Sequence, residues 1–170
     1  MTKPILYLFI GCPGAGKTFI AQIISAKTGA THLWADAERH KLFDNPSHTL
    51  KESTELYDKL NASAAYLLAN GKSVVFDTNF NFLADRRKLR EIAAEQGATT
   101  TVIWVTTPVE LAKKRAVHAD TTRNGYDSNM TEEQFDTIVQ KLEPPTKDEH
   151  FIKIDGTKLD DETVTRLLSL

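Results

Sequence analysis

The sequence predicts an α/β protein in which helices cover both faces of a central parallel sheet of about five strands. Short, nearly continuous apolar runs have the composition of buried strands. They alternate with longer segments in which apolar residues recur at helical spacing. Strands that alternate with helices pair in parallel through right-handed crossovers, which gives three layers. The length of 170 residues suits one domain, which we expect to span residues 1–170.

Four apolar or β-branched runs are strong strand candidates, and a fifth is weaker. The strong runs are 5–11, 74–77, 101–105 and 151–155, and the weaker run is 32–36. Five apolar stripes predict helices, with expected stops at Asn70-Gly71, near Gly97 and at Pro144-Pro145. The stripes are Ile20/Ile23/Ile24, Tyr57/Leu60/Ala64/Leu67/Leu68, Leu89/Ile92/Ala93, Phe135/Ile138/Val139/Leu142 and Val164/Leu167/Leu168.

Composition and charge exclude several classes of protein. A net charge of −2 argues against a protein that wraps nucleic acid by charge alone. The lone Cys12 cannot form an internal disulfide, and the five His residues lack metal-ligand spacing. The first apolar run is too short to span a membrane and lacks a cleavage-site pattern. We therefore expect a cytoplasmic protein without a membrane partner, either monomeric or a small homo-oligomer.

The stretch between the first strand and the first helix reads GCPGAGKT and matches the pattern G-x-x-x-x-G-K-[ST]. Its glycines let the backbone turn several N–H groups inward around an anion, and the following helix points its positive end at the same place. Lys17 would neutralise the β- and γ-phosphates of ATP, and the Thr18 hydroxyl would ligate Mg²⁺. The motif predicts a P-loop NTPase fold whose nucleotide-binding residues are Gly11, Cys12, Pro13, Gly14, Ala15, Gly16, Lys17 and Thr18.

Two carboxylates follow predicted strands. Asp77 ends the run VVFD, at the sheet edge where open α/β proteins bind ligands, so we expect it to be the second metal ligand; the alternative is a helix cap. Asp36 follows the weaker run, with Arg39 three residues on. Asp36 could take the proton of an attacking hydroxyl while Arg39 holds the acceptor. Alternatively, the two residues are a helix cap and an ordinary i,i+3 charge pair.

Several segments resemble one family of enzymes. GCPGAGKT, WADAER (34–39) and especially VFDTNFNFLADRR (75–87) are similar to the P-loop polynucleotide kinase domain and its relatives among small AAA-like P-loop kinases. The segment LEPP (142–145) also resembles one near the carboxyl end of that family, so the likeness covers nearly the whole chain. It implies a kinase that moves the γ-phosphoryl group of ATP onto a hydroxyl.

The resemblance also implies roles for individual residues. Asp36 would activate the acceptor hydroxyl, and Arg39 would contact acceptor and phosphate. A helical lid over about 113–130 would bring Arg115, Arg123 or both over the transferring phosphate, where cations offset charge on the equatorial oxygens. Arg86 and Arg87 would either contact acceptor phosphates or form an exposed helix start.

The acceptor stays open between the 5′ end of a polynucleotide and a small molecule such as a nucleoside, a sugar or an antibiotic-like alcohol. The family's nucleic-acid kinases present a basic groove, whereas Glu38, Asp44 and Glu52 surround the acceptor segment here. The alternative to a kinase is a P-loop ATPase or nucleotide-dependent switch without a phosphoryl acceptor. Such a protein needs a residue that positions water, and the sequence offers no clear Gln or Glu for that role at a strand end.

Overall fold

The computed structural model describes residues 2–117 and 130–170 and confirms the predicted α/β fold. Five parallel strands form one sheet in the order β2-β3-β1-β4-β5. The strands are β1 (Ile5–Ile10), β2 (Thr31–Trp34), β3 (Val74–Asp77), β4 (Thr99–Val105) and β5 (Phe151–Ile154).

Seven helices lie in the described part of the chain. Helix α3 ends at the predicted stop, where Gly71 has a left-handed φ of 73°. The helices are α1 (Lys17–Thr28), α2 (Ala35–Leu42), α3 (Leu50–Ala69), α4 (Leu83–Glu95), α5 (Val109–Val117), α6 (Glu132–Gln140) and α7 (Asp161–Leu168). Within this part of the chain, no helix has both the length and the apolar character needed to cross a bilayer.

Several predicted strand boundaries differ from the structure by one or two residues, and two differences concern the helices. The weak strand ends at Trp34, because Ala35 and Asp36 already belong to α2. Acidic residues in the first turn of a helix are stabilised by its dipole, which favours helix at this point. Leu142 lies beyond the end of α6, although its side chain packs against both the core under α3 and α4 and the small cluster at α5 and α6.

The alternating side chains of the central strand β1 enter two separate cores. Leu6, Leu8 and Ile10 face α3 and α4, whereas Tyr7 and Phe9 face α1 and α7. Because β1 is covered on both faces, its carboxyl end is held firmly, and residues 11–16 leave the sheet from that end. Strands β3 and β2 end beside it at the same edge.

A third, small apolar cluster joins the residues after β1 to α5 and α6. It contains Cys12, Ala112, Ala116 and Phe135, all of them buried. Beside it, Lys113 of α5 pairs with Asp136 of α6 at 2.9 Å. Helix α5, which carries residues 113–117 of the expected lid, and helix α6, which follows that lid, are therefore packed against the start of the glycine-rich loop. Residues 118–129 of the lid lie outside the described part of the chain.

Candidate active site

The glycine-rich loop 11–16 has a shape that side chains would prevent. Gly14 has a φ of 79°, in the left-handed region that L side chains rarely adopt. A Cβ at Gly14 would also overlap the backbone carbonyl oxygen of Ala112. The close approach of α5 to the loop therefore requires glycine at this position.

Helix α1 begins directly behind this loop and is open to an anion. Its N-cap is Gly16, which has no side chain to bond the first turn, and that turn carries no acidic residue. The positive end of the helix dipole consequently points into the loop without a carboxylate to offset it. This is the arrangement expected for a phosphate site.

The Lys17 side chain folds back into the loop. Its Nζ donates hydrogen bonds to the carbonyl oxygens of Gly11 at 3.0 Å and Cys12 at 2.7 Å, and the residue is buried. The ammonium group therefore lies within the concave side of the loop, where the sequence predicts the β- and γ-phosphates. The same charge acts on Cys12, although burial dominates and raises the pKa of that thiol.

Two polar side chains that the sequence analysis did not identify hold the loop in place. The buried Asn81 amide accepts from the Gly11 N–H at 3.0 Å and donates to the Gly11 carbonyl at 3.3 Å. The Thr107 hydroxyl donates to the Ala15 carbonyl at 2.7 Å. Both partners are far away in sequence, so no local pattern could have revealed them.

The segment after β5 packs directly against the loop. A Cβ at Gly156 would overlap the Thr107 hydroxyl and lie 2.6 Å from the Ala15 carbonyl oxygen, so only glycine fits. Arg115 bridges the same two segments, because its Nη1 donates to Gly156 at 3.2 Å and, more weakly, to Gly14 at 3.5 Å. Arg115 thus contacts the loop through the main-chain carbonyl of Gly14, whereas Arg123 lies outside the described residues.

A shallow pocket of about 440 Å³ opens beside this segment. Its lining includes Pro108 together with Asp155 and Thr157, which flank Gly156. The Thr157 N–H donates to Asp155 Oδ1 at 2.8 Å, and this bond lowers the pKa of the carboxyl. The Asp155 carboxylate at the wall of the pocket is therefore bonded within its own segment.

Asp77 lies where the sequence placed it, at the end of β3 and beside the loop. It is 4% exposed, and His32 Nε2 lies 3.0 Å from one of its two carboxylate oxygens. The His32 ring stacks in turn on Trp34, with ring planes 7° apart. Because Phe82 is the N-cap of α4, Asp77 does not cap the following helix, which removes the alternative interpretation.

Asp36 lies in the first turn of α2 and is exposed at the same sheet edge. Trp34 is the N-cap of this helix, so Asp36 is not a cap either. A hydroxyl pair lies nearby, with Tyr57 Oη 2.7 Å from Thr78 Oγ1. Burial is the main cause of a raised Tyr57 pKa; the hydrogen bond with Thr78 and the charge of Arg39 lower this pKa, and the charges of Asp36 and Asp85 raise it.

Arg39 lies on the same helix as Asp36 but points into the protein. Its Nη1 donates to Glu52 at 2.5 Å and its Nη2 to Ser53 at 3.3 Å, and the residue is 6% exposed. Arg39 therefore ties α2 to α3 rather than pairing with Asp36. The expected i,i+3 pair is replaced by a buried contact between helices.

Glu52 gathers the partners that hold this corner of the molecule. Burial alone would raise the pKa of its carboxyl. Hydrogen bonds from the Ser47 N–H, Arg39, the Ser47 hydroxyl and the His48 N–H outweigh that effect and lower the pKa to about 2. Glu52 is therefore a structural anion, and it is not part of an exposed acidic surround of the acceptor segment.

Arg86 differs from both expectations for it. It is fully buried and therefore neither belongs to an exposed helix start nor faces an acceptor. Its guanidinium donates to both carboxylate oxygens of Glu149, at 2.7 and 3.1 Å, and to the carbonyls of Phe80 and Pro144. Arg86 thus fastens the LEPP segment to the loop after β3, and Arg87 alone is exposed.

Solved structures similar to this chain include three that match nearly all of it. A candidate kinase of Chloroflexus aurantiacus has a TM-score of 0.79 at 17% identity, covering 99% of this chain and 96% of that one. A sugar kinase of a Janibacter species has a TM-score of 0.71 at 19% identity, covering 99% and 94%. The Mycobacterium tuberculosis APS kinase CysC, solved with AMPPNP and APS, has a TM-score of 0.70 at 19% identity, covering 99% and 98%.

At sequence identities below 20%, these likenesses show that the structures share the fold of the chain. No curated protein is significantly similar to it in sequence. A family model described as an AAA domain matches residues 6–145. That range runs from β1 through the P-loop, Asp77 and α6 to the LEPP segment, and the chain is accordingly a member of this AAA domain family.

Proposed function

We propose that this protein is an ATP-dependent kinase that transfers the γ-phosphoryl group to a hydroxyl. The observation that carries the proposal is the strand order β2-β3-β1. It places Asp36 after β2, Asp77 at the end of β3 and the P-loop after β1, side by side at one edge of the sheet. A nucleotide, a metal ion and an acceptor hydroxyl can meet along such an edge.

The nucleotide phosphates would lie in loop 11–16 and on the amino end of α1. The left-handed Gly14 and the uncapped start of α1 fit this ligand. Lys17 would exchange its two carbonyl acceptors for β- and γ-phosphate oxygens, which is favourable because an ionised acceptor makes the stronger hydrogen bond. The pocket lined by Pro108, Asp155 and Thr157 adjoins the loop and could receive the nucleoside.

Mg²⁺ also fits the residues present. Thr18 in the first turn of α1 and Asp77 at the end of the neighbouring strand supply the oxygen ligands that this ion prefers. His32 bonds one oxygen of the Asp77 carboxylate and so orients it. The ion would offset the charge of the β- and γ-phosphates.

The transfer itself needs a base and a correctly placed hydroxyl. Asp36 accepts the acceptor's hydroxyl proton while the acceptor oxygen bonds to the γ-phosphorus. The bond from that phosphorus to the β–γ bridging oxygen breaks, and ADP leaves. Lys17 and an arginine of the lid stabilise the charge on the transferring group. Arg115 is bonded to the main-chain carbonyls of Gly14 and Gly156 and would have to exchange them for phosphate oxygens. Arg123 is the second candidate for this role.

Both acceptor classes remain within the proposal. The likeness of 34–39 and 75–87 to polynucleotide kinase favours a 5′-hydroxyl end. The similar sugar kinase and APS kinase structures favour a small molecule. The chemistry at Asp36 and Lys17 is the same in either case.

The test follows γ-labelled ATP with a panel of 5′-hydroxyl DNA and RNA oligonucleotides, nucleosides, sugars and aminoglycosides. Asp36→Asn should abolish labelling of the acceptor and leave ATP affinity nearly intact. Glu38→Gln is the matched control, since it makes the same carboxylate-to-amide change on the same helix and should retain transfer. Release of free phosphate alone, unchanged by Asp36→Asn, would reject the kinase and indicate an ATPase.

A further inference from the structure

Helix α2 carries the proposed base Asp36, yet little of this helix is buried. Of its eight residues, all within the described part of the chain, two are buried: Ala35 at 4% exposure and Arg39 at 6%. They are four residues apart and therefore lie on the same face of the helix. Leu42, at the end of α2, packs partly against the core. One methyl group and one half-buried leucine bury little apolar area, so the hydrophobic effect alone holds α2 weakly.

The Arg39 side chain joins α2 to two other segments through the buried Glu52. Its Nη1 donates to Glu52 Oε1, and its Nη2 donates to the Ser53 hydroxyl at 3.3 Å. The second carboxylate oxygen of Glu52 accepts from the N–H and the hydroxyl of Ser47, at 2.7 and 2.8 Å. The His48 N–H donates to Glu52 Oε1 at 3.2 Å. Glu52 therefore connects α2, the segment before α3 and α3 itself at one point.

The place of Asp36 depends on this connection, because Asp36 lies on α2 three residues before Arg39. Three residues are nearly one helical turn, so the two side chains leave the helix in neighbouring directions. A side chain ends about 5 Å from the helix axis, so a rotation of α2 by about 15° would move the Asp36 carboxylate by about 1 Å. A misplacement of about 1 Å can slow an enzymatic reaction by about 100-fold. The orientation of α2 therefore decides whether Asp36 meets an acceptor hydroxyl.

Arg39 is poorly placed to bind a phosphate itself. The resemblance to polynucleotide kinases implies that this residue contacts acceptor and phosphate. In the structure its guanidinium is buried and bonded to Glu52 and Ser53. To reach a ligand, Arg39 would have to leave the buried Glu52 carboxylate without a cation, which is strongly unfavourable. The contacts of Arg39 therefore favour a role inside the protein.

We propose, on the basis of the kinase function proposed above, that Arg39 and Glu52 are positioning residues, whose buried ion pair sets the orientation of α2 and thereby places Asp36 at the acceptor hydroxyl. Neither residue touches ATP or the acceptor. The phosphoryl transfer proceeds as described above, with Asp36 taking the proton of the attacking hydroxyl.

Glu52→Gln separates this inference from a direct role of Arg39 in ligand binding. The substitution keeps an oxygen that can accept from Ser47 and removes the charge that holds Arg39. With the best acceptor of the γ-labelled ATP panel, kcat should fall by about 10- to 100-fold, and ATP affinity measured by calorimetry should stay unchanged. If Arg39 bound acceptor or phosphate instead, its release from Glu52 would leave kcat unchanged or raise it. Either of those results would overturn the inference.

The double variant Arg39→Met/Glu52→Gln tests whether the two residues act as a unit. Its kcat should be no lower than that of Arg39→Met alone, because each single change breaks the same pair. Losses that multiply in the double variant would show independent roles and overturn the inference. Lys41→Met is the matched control, since it breaks the 2.6 Å ion pair between the exposed Lys41 and Glu38 on the same helix and should retain kcat.

Hydrogen exchange of residues 35–42 measures the attachment of α2 without the transfer reaction. Arg39→Met and Glu52→Gln should each speed exchange in α2 at least about tenfold relative to α1, whereas Lys41→Met should not. A loss of kcat with unchanged exchange in α2 would indicate that Arg39 acts directly and would overturn the inference. If Arg39→Met fails to fold, the comparison of Glu52→Gln with Lys41→Met decides the question alone.

The transfer assay also distinguishes this inference from the function on which it rests. If the wild-type protein labels no acceptor, the kinase proposal and this inference fail together. If the wild-type protein transfers phosphate and Glu52→Gln transfers it equally well, this inference alone fails and the kinase proposal stands.

Discussion

The buried pair of Arg86 and Glu149 should be among the most sensitive points of the fold. Arg86→Met removes four hydrogen bonds and leaves the Glu149 carboxylate buried with only its contacts to Thr146. Removing one partner of a buried ion pair costs about 3–5 kcal/mol. Domains of this size have a total stability of about 5–15 kcal/mol, so a large share would be lost. At about 2–4 °C per kcal/mol, the melting temperature should fall by about 6–20 °C.

Thermal and urea unfolding followed by circular dichroism would measure this loss. Arg87→Met is the matched control, because Arg87 is the exposed neighbour of Arg86 and should change stability by no more than about 0.5 kcal/mol. The double variant Arg86→Met/Glu149→Leu should recover part of the loss, since no charge is then left unpaired. A loss below about 1 kcal/mol in Arg86→Met would refute the reasoning, and Arg86 would return as a candidate for acceptor binding.

Three further outcomes follow from the site. Gly14→Ala should weaken ATP binding, measured by calorimetry, at least about tenfold, because its Cβ would clash with Ala112 at a φ that is already unfavourable. Gly97→Ala is the control, since Gly97 has a similar φ of 70° but no neighbouring atom that a Cβ would meet, and it should leave binding unchanged. Glu52 has a folded pKa of about 2, below its usual 4.5, so its contribution to stability is complete above pH 4.5 and is lost as the pH falls toward 2. Glu52→Gln should therefore reduce the pH dependence of the free energy of unfolding between pH 4.5 and 2. An unchanged pH dependence would contradict the assignment. Asn81→Ala should cost about 1–3 kcal/mol in urea unfolding and also weaken ATP binding, because it leaves a buried N–H of the loop unsatisfied, whereas the exposed Asn79→Ala should do neither.

The sequence predicted the sheet well because β1 and β3 are almost wholly buried, and because β4 and β5, though less buried, still read as apolar or β-branched runs. It was least successful at β2, a four-residue edge strand whose residues are all only half-buried, so the hydrophobic pattern there is weak. The P-loop and the strand-end Asp77 were also predictable. Both follow an apolar strand run directly in sequence, and the P-loop also precedes a helical stripe, so the local hydrophobic pattern is enough to locate them.

The roles of the arginines were not predictable from residue type. Arg39 and Arg86 have the chemistry of phosphate ligands, but Glu52 and Glu149, which occupy them, lie 13 and 63 residues away. A signal did exist in the helical period. Arg86 precedes the buried Leu89 by three residues, and Glu52 precedes the buried Leu56 by four, so each lies on the inner face of its helix. A charged residue on such a face indicates a buried partner.

The side-chain contacts that hold the P-loop bear on the stage of folding at which the loop reaches its native conformation. Gly11 depends on Asn81, Ala15 on Thr107 and Gly14 on Arg115, contacts that span 70, 92 and 101 residues. Contacts so distant along the chain close late, because their loop entropy must be met first. We therefore expect the glycine-rich loop to be completed only after the rate-limiting step of folding. ATP should therefore slow unfolding of the native protein and leave the refolding rate unchanged, so that the nucleotide preserves the fold without guiding its formation.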